Sequence, residues 1–294
     1  MRHDFPAANI DGLVGLRYYP PPDDLSDRLS SAYLFTAERR QVSDITRADM
    51  AQLRFMLSGG PGDYHFSSGG VVPTADICLM GPTLGATRFV VAGPVQVLGI
   101  ALLPLGWQAL IGADASELAD RAVNMATVNA SFDRMLDHFR AIDDPDSAVA
   151  WMWTQLRTLL APVPTHDRQF VEATDNWLAD DPSPRVEALL DATGLSARQA
   201  ARLANRLYGA PPKYLARKYR ALRCAAQIAV DHRGWQDLCQ DGTFYDQSHL
   251  IREIKHFIGI TPNQLRSEPT LVHRLSLPQR RGLEGRVSPI STIS

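Results

Sequence analysis

The chain has 294 residues, of which 45% are apolar and 21% charged, and its formal net charge is -2. This length suits two domains with cores of their own, and the composition excludes a chain that is disordered throughout. The three cysteines, Cys78, Cys224 and Cys239, form no Cys-x-x-Cys pair, so neither a zinc site nor a disulfide framework is predicted.

The charge is divided unevenly along the chain. Residues 1–184 contain 13 Arg, no Lys and 23 acidic residues, whereas residues 185–266 contain 13 basic and 7 acidic residues. An acidic part joined to a basic part favours a nucleic-acid-binding module fused to a partner domain. Chance segregation of surface charge is the alternative explanation.

Residues 1 to about 130 consist of β-branched segments separated by turns rich in glycine and proline. The candidate strands are 13–19, 32–36, 52–57, 77–80, 87–91 and 95–103. Short strands of this kind predict a small antiparallel sandwich or barrel, and Ser67-Ser68-Gly69-Gly70 is interpreted as a hairpin turn.

The same region lacks the patterns expected of an enzyme. A divalent metal needs three or four converging donors. Residues 1–130 contain only two histidines, His3 and His65, and no Glu lies between Glu38 and Glu117. No nucleophile elbow, P-loop or dinucleotide-binding glycine motif occurs. Cys78 fits core packing better than nucleophilic chemistry. The sequence therefore predicts no catalytic residue, no metal and no cofactor.

Residues 131–160 predict two amphipathic helices. Their apolar faces consist of Phe132, Met135, Leu136 and Phe139, then Val149, Met152, Trp153, Leu156, Leu159 and Leu160. Packing within the chain and packing across a dimer interface explain these faces equally well. Pro162 and Pro164 end the second helix, and residues 167–179 predict a linker helix.

A helix-turn-helix pattern follows. Ser183 is the predicted N-cap of a helix that ends at Gly194, and Ser196 opens the next helix with a capping-box sequence. The outward residues of this second helix are Arg198, Gln199, Arg202, Asn205 and Arg206. Residues 213–230 then predict a long helix. Its surface is expected to carry Lys213, Arg217, Lys218, Arg220 and Arg223.

A second unit of the same kind centres on residues 242–262. Asp246 is the predicted N-cap, and Gly259 and Pro262 end the helix. Its buried face is predicted to contain Leu250, Ile254, Phe257 and Ile258. Its candidate DNA contacts are Gln247, Ser248, His249, Arg252 and Lys255. Donors and cations on an exposed helix suit the base edges and phosphates of a major groove.

The two units repeat with an offset of 50 residues. The matched pairs are Ser196 and Asp246, Ala200 and Leu250, Arg202 and Arg252, Ala204 and Ile254, Leu207 and Phe257, Gly209 and Gly259, and Pro212 and Pro262. An amphipathic helix alone would account for the apolar pairs but not for the paired outward arginines. The repeat therefore favours two copies of one DNA-reading unit.

Residues 242–255, Gly-Thr-Phe-Tyr-Asp-Gln-Ser-His-Leu-Ile-Arg-Glu-Ile-Lys, closed by Gly-Ile-Thr-Pro, resemble the second helix-turn-helix of the AraC/XylS family of bacterial transcription regulators. The resemblance covers residues 183–267. Thr243 departs from it, because the family usually has the turn glycine there. Pro104-Leu105-Gly106-Trp107 and the residues after it resemble the end of the family's cupin-like sensor domain.

Together these features predict an α+β protein with four parts. Residues 1–165 form a cupin-like antiparallel β sandwich or barrel with flanking helices, and residues 166–181 form a linker helix. Residues 182–267 form an all-α double helix-turn-helix domain, and residues 268–294 form a flexible tail because they lack a sustained period. The family resemblance implies that the long helix at residues 213–230 holds the two reading helices about 34 Å apart, which is one turn of a DNA duplex.

The function that this organisation implies is sequence-specific transcription regulation. Its expected partners are double-stranded DNA, a small-molecule effector or dimer mate bound through residues 1–165, and RNA polymerase. The protein is expected in the cytoplasm and not in a membrane, because no run reaches the roughly 20 apolar residues of a membrane span. Two alternatives remain open: an enzyme that its C-terminal domain locates on DNA, and a regulator whose N-terminal domain binds only proteins.

Overall fold

The computed structural model describes residues 8–240, 244 and 246–293. The strands are β1 Ala8–Ile10, β2 Val14–Tyr19, β3 Leu29–Ala37, β4 Gln41–Thr46, β5 Ala51–Ser58, β6 Gly62–His65, β7 Val71–Pro73, β8 Ile77–Met80, β9 Thr87–Ala92, β10 Val95–Leu102 and β11 Ala122–Asn124. The helices are α1 Pro104–Leu110, α2 Met125–Val128, α3 Ser131–Arg140, α4 Pro145–Leu159, α5 Thr165–Asp180, α6 Val186–Thr193, α7 Ala197–Tyr208, α8 Pro212–Ala229, α9 Trp235–Gln240, α10 Gln247–Ile258, α11 Pro262–Ser267, α12 Leu271–Gly282 and α13 Pro289–Ile293.

The strands form two antiparallel sheets. One has the order β1-β2-β3-β10-β5-β8-β11, and the other has the order β4-β9-β6-β7. The predicted α+β class with an antiparallel sandwich or barrel is thereby confirmed, as is the hairpin turn at residues 67–70, which joins the paired strands β6 and β7. The expected strands recur as β2, β3, β5, β8, β9 and β10. The pattern missed β1, β4, β6, β7 and β11. In β4 the apolar residues Val42 and Ile45 are three positions apart, so no alternation is visible.

Helices α3 and α4 cover the centre of the larger sheet. Phe55 of β5 stacks on Phe132 at a centroid distance of 6.3 Å and meets Phe139 edge-on at 4.8 Å. The apolar faces predicted for both helices are largely buried in this core. They therefore pack within the chain, and their use in a dimer stays a prediction.

Helix α8 is the axis of the helical half. Leu215 and Tyr219 pack against the unit that contains α6 and α7, whereas Leu222 and Ile228 pack against α10 and α11. Helix α6 begins at Val186 with Arg185 at the N-cap position, so the N-cap predicted at Ser183 is wrong. The backbone N–H of Ser183 instead donates to the Asp181 carboxylate at 2.8 Å, which holds residues 181–183 in a turn.

Residues 268–294 differ from the expected flexible tail, because most of them are helical and packed. Leu275 and Leu277 of α12 are buried, and Ile290 of α13 is fully buried. Helix α12 packs on β1, β2 and β4, and α13 packs on α5 and α8. No simple period was visible because α12 is buried on more than one side and contains Pro278.

A carboxyl group that joins α5 to α7 makes stability depend on pH. The Tyr208 hydroxyl donates to Asp175 at 2.6 Å. Burial raises the pKa of Asp175 to about 7, and the hydrogen bond from Tyr208 only partly opposes this. The raised pKa means that folding is favoured most below about pH 4, and that this stability is lost as the pH rises through 7.

We therefore expect Asp175→Asn to be more stable than the wild type at pH 8, by about 1–2 kcal/mol once partial solvent contact is allowed for. The advantage should shrink towards pH 4, where the wild-type carboxyl is protonated in the folded state and about half protonated in the unfolded state. Urea unfolding at the two pH values measures it. Asp180→Asn, at the exposed end of the same helix, is the control. An equal advantage at both pH values would contradict the assignment.

Candidate nucleic-acid interface and a neighbouring cavity

Two helices of equal length present the candidate DNA-reading faces, and both begin alike. Helices α7 and α10 each contain 12 residues. The Ser196 hydroxyl accepts a hydrogen bond from the Gln199 N–H at 3.3 Å. The Asp246 carboxylate accepts one from the His249 N–H at 2.7 Å. Both predicted N-caps are confirmed, and each satisfies a backbone donor at the start of its helix.

The two helices also end alike. Gly209 and Gly259 follow them in the left-handed region, at φ values of 79° and 92°. Glycine is favoured there because it lacks a Cβ atom. Pro212 and Pro262 then occupy the first position of α8 and α11. The 50-residue repeat is therefore present in the fold as two helices with equivalent starts, lengths and ends.

The exposed face of α7 carries part of the predicted DNA-contacting set. Arg198, Gln199 and Arg202 are exposed, whereas Asn205 and Arg206 are half-buried. Gln199 has a local role as well, because its Oε1 accepts hydrogen bonds from the backbone N–H and the hydroxyl of Ser196 at 3.0 and 2.7 Å. Arg198 and Arg202 are the cations of this helix that project most freely into solvent.

Arg206 is engaged within the protein. Its guanidinium pairs with the carboxylate of Asp167 on α5 and donates to Gln108 Oε1 of α1 at 2.8 Å. The Asp167 side chain is 1% exposed, so this ion pair is largely shielded from water. Arg206 therefore attaches α7 to α5 and α1 in this conformation.

The exposed face of α10 carries most of the second predicted set. Gln247, Ser248, Arg252 and Lys255 are exposed, and the half-buried His249 ring lies edge-on to Phe244 at 5.6 Å. The predicted turn irregularity at Thr243 lies outside the described residues. The buried face predicted for this helix is confirmed, since Leu250, Ile254, Phe257 and Ile258 are buried.

Most of the cations expected on the surface of α8 have partners inside the protein. Lys218 is buried and donates to the backbone carbonyls of Asp49 at 2.7 Å and Thr83 at 3.0 Å, so its predicted surface position is wrong. Arg217 pairs with Glu253 of α10 at 2.7 Å. Arg223 donates to backbone carbonyls at the end of α5. Lys213 remains exposed.

A cavity of ≈ 110 Å³ lies between the β sheets and α12, and the sequence pattern did not predict it. Its apolar wall includes Phe35, Met56, Phe89, Val91 and Val97. Its polar wall includes Arg47, Asp49, Gln52, Arg54, Ser276 and Arg280, together with the tyrosines Tyr18, Tyr33 and Tyr64. An engineered apolar cavity of about 150 Å³ holds benzene, so this smaller cavity has room for only a few heavy atoms unless a ligand extends through its opening.

Asp49 is the centre of a charged cluster on the cavity wall. Its carboxylate accepts hydrogen bonds from Arg280 of α12 at 2.6 and 3.2 Å, and from Gln52 Nε2 at 2.9 Å. The Arg47 guanidinium, on the same side of the cavity, donates to the Ser276 hydroxyl of α12 at 2.9 Å. The cluster therefore connects the β4–β5 turn to the helix that follows the DNA-binding region.

These neighbours shift the pKa values of the cluster. Burial disfavours the ionised form of Asp49, but the neighbouring cations Arg280, Arg47 and Lys218 together outweigh burial and lower the pKa of Asp49 to about 2. Burial, with Arg280 nearby, lowers the pKa of Arg47 to about 10. Burial lowers the pKa of Lys218 to about 8. Asp49 is therefore ionised at neutral pH, held between cations in a desolvated site.

The residues considered for metal or nucleophilic chemistry lie apart. His65 is exposed at the end of β6, and burial raises the pKa of the Cys78 thiol to about 11. Among the residues that the structure describes, no group of three or more His, Cys, Asp or Glu is placed to hold a metal. Within the same residues, no helix is long and apolar enough to span a membrane.

Comparison with known proteins identifies a sequence family for the helical part of the chain. Residues 189–268 match the sequence model of a family described as a helix-turn-helix domain. The match spans α7 to α11 and so includes both reading helices. It confirms, for these residues, the family resemblance that the sequence motif carried. No curated protein matches the chain.

Several solved structures are similar at low identity. ToxT from Vibrio cholerae O395 is 10% identical with a TM-score of 0.41, over 78% of this chain and 99% of that chain. Wild-type ToxT from V. cholerae strain SCE256, bound to an unsaturated fatty acid, is 11% identical with a TM-score of 0.43, over 90% and 97%. A Bacillus subtilis oxalate decarboxylase variant is 11% identical with a TM-score of 0.25, over 31% and 25%.

Proposed function

We propose that this chain, whose residues 189–268 form an AraC-type helix-turn-helix domain, is a sequence-specific DNA-binding transcription regulator. The observation that carries the proposal is the pair of 12-residue helices α7 and α10, with equivalent caps and exposed arginines at equivalent positions. Two such helices can enter successive major grooves on one side of a duplex, about 34 Å apart.

Arg202 and Arg252 are proposed as the principal base-reading residues. Each is exposed and lies six residues beyond its N-cap, at Ser196 and Asp246. A guanidinium fork donates to guanine O6 and N7 together, which favours this base over the others. The further proposed contacts are Arg198, Gln199 and Asn205 in the first unit and Gln247, Ser248, His249 and Lys255 in the second. Arg206 would join them only after leaving Asp167.

Residues 1–165 are proposed to sense a small molecule and to take no part in catalysis. The largely apolar cavity with a cluster of charged groups supports a ligand site, since ligand pockets typically have mostly apolar walls and fix the ligand through a few polar groups. We further propose that the protein acts in the cytoplasm as a homodimer, and that it contacts RNA polymerase when bound to DNA.

Selection of bound sequences from random DNA tests the reading residues. Arg202→Ala should relax sequence preference in one block of the operator, and Arg252→Ala in a second block about 10 base pairs away. Each loss should be about 1–3 kcal/mol of discrimination at the base concerned. Arg274→Ala, an exposed arginine on α12, is the matched control and should leave the preference unchanged. If both helix variants keep the wild-type preference and affinity, the two-unit proposal fails.

A further inference from the structure

The C-terminal end of the reading helix α10 is attached to the β-sheet part of the chain. The His256 carbonyl accepts a hydrogen bond from the Ala86 N–H at 2.9 Å, and the Phe257 carbonyl accepts one from the Ala48 N–H at 2.6 Å. The last four carbonyls of a helix have no partner inside it. Two loops of the sheet region therefore complete the last turn of α10.

The side chain of His256 strengthens this attachment. The Tyr214 hydroxyl donates to the Leu84 carbonyl at 2.5 Å and lies 2.8 Å from His256 Nε2. Because the single hydroxyl hydrogen is used by Leu84, the Nε2 atom donates the second bond. Gly85 lies at the same junction, where an added Cβ atom would be 2.3 Å from the Ser67 hydroxyl. The turn after β6 is therefore held close to the end of α10.

An open groove of ≈ 320 Å³ lies at this junction. The sheet contributes His65 of β6 and Arg88 of β9 to its wall, and α10 contributes Lys255 and His256. His65 and Arg88 are direct cross-strand partners, so their side chains lie on the same face of the sheet. The groove is therefore built jointly by a reading helix and by the sheet that contains β4, β9, β6 and β7.

The charges of this groove favour an anionic partner. Among the described lining residues there is no carboxylate. Arg88 and Lys255 are exposed, and within the described part of the chain neither forms an ion pair. Asp63 lies on the same strand face as His65, but it stands opposite Val90. A concave surface that carries cations of one sign concentrates the field and attracts anions.

The groove also continues the exposed face of α10. Lys255 follows Arg252 by three positions, so the two side chains are neighbours on the helix surface. In homeodomains the C-terminal end of the reading helix contacts the phosphate backbone, while residues nearer its start contact base edges. A duplex read by Arg252 therefore brings its backbone towards the end of α10, where His65 and Arg88 lie.

We propose that His65 and Arg88 bind the phosphate backbone beside the bases that α10 reads, with Lys255 as the contact shared between helix and sheet. This inference rests on the DNA-binding function proposed above and extends the DNA-binding surface to the N-terminal sheet. Phosphate contacts fix the position and register of a protein on DNA and carry no sequence information. The sheet therefore positions the second reading helix on the duplex.

The salt dependence of DNA affinity tests the contact, with the full-length protein and an operator selected from random DNA. In Arg88→Ala the affinity should fall several-fold at 50 mM salt, and the slope of log K against log salt should become less steep by about 0.9. The ratio of wild-type to variant affinity should therefore shrink about 3.5-fold between 50 and 200 mM salt. Arg88→Lys keeps a point charge and should retain most of the slope.

The matched control is Arg40→Ala. Arg40 is exposed and precedes Gln41, at the end of the β4–β9 pair opposite to Arg88. Its removal should leave the slope unchanged. Thermal unfolding of Arg88→Ala should match that of the wild type because this side chain is exposed and unpaired; where it does not, Arg88→Gln takes its place.

Neutral phosphates locate the contact on the duplex. Methylphosphonate linkages are placed one at a time around the block of the operator in which Arg252→Ala relaxes the sequence preference. At one or more positions the wild type should lose affinity several-fold, while Arg88→Ala should lose less than about twofold, because the cation that would meet this phosphate is already absent. Linkages around the Arg202 block should weaken both proteins equally.

Two results would overturn the inference. One is an Arg88→Ala variant, or its Gln replacement, with the affinity and salt slope of the wild type. The other is an equal loss in both proteins at every neutral linkage, which would show that Arg88 meets no phosphate. Failure of the wild type to bind any duplex would instead contradict the proposed function, so the two failures are distinct.

Discussion

Asp49→Ala should lower the free energy of unfolding by about 3–5 kcal/mol, because it leaves a buried guanidinium without its carboxylate. The pair of Asp49 and Arg280 joins the β4–β5 turn to α12 at 2.6 Å, and the two side chains are 11% and 9% exposed. Gln52 would lose its acceptor as well. Urea unfolding followed by tryptophan fluorescence measures the change.

An exposed ion pair of the same length is the matched control. Asp24 and Arg157 are also joined at 2.6 Å, but their side chains are 56% and 45% exposed. Asp24→Ala should therefore cost far less, since water already solvates both charges and salt screens them. A loss in Asp49→Ala no greater than that in Asp24→Ala would show that the buried cluster contributes little to stability.

The double variant Asp49→Ala with Arg280→Met refines this result. Removing both charges avoids a buried cation that has lost its ion pair with Asp49, so part of the lost stability should return. The wild type should also lose stability as the pH falls from about 4 to 2, because the pKa of Asp49 is lowered to about 2 and its stabilising effect requires the ionised form. Asp49→Ala should lack that part of the acid sensitivity.

DNA affinity should fall steeply with salt. The exposed cations on or beside the reading faces that are not assigned to bases are Lys213, Arg198 and Lys255. If these three cations neutralise a phosphate each, log K should fall with log salt at a slope of about -2.7, which is about 40-fold between 50 and 200 mM. Fluorescence anisotropy with a selected operator and the full-length protein measures the slope.

A single-residue change gives this prediction a sharper form. Lys255→Ala should reduce the steepness of the salt dependence by about one phosphate contact, whereas Arg274→Ala on α12 should not change it. An affinity that stays constant from 50 to 200 mM salt would mean that these cations do not neutralise phosphates, and it would count against a DNA complex formed by this surface.

Local sequence was sufficient for the features that depend on neighbouring residues. The caps at Ser196 and Asp246, the breakers at Gly209 and Gly259, and the apolar stripe of α10 were all predicted, because each is set by contacts within about four residues. The repeat extended this local information, since two copies of one pattern constrain each other. Periodicity and turns likewise identified the antiparallel sheet class.

Tertiary contacts decided the features that depend on distant residues. Lys218 has the spacing of a helical residue beside an apolar face, yet its ammonium group reaches the carbonyl of Asp49, 169 positions away. The contact between Arg280 and Asp49 spans 231 positions, and it turns an aperiodic segment into the wall of a cavity. Side-chain period records only which face of a helix is apolar. A buried charge is tolerated where the fold brings an opposite charge or a carbonyl to it, and that is settled when the chain packs.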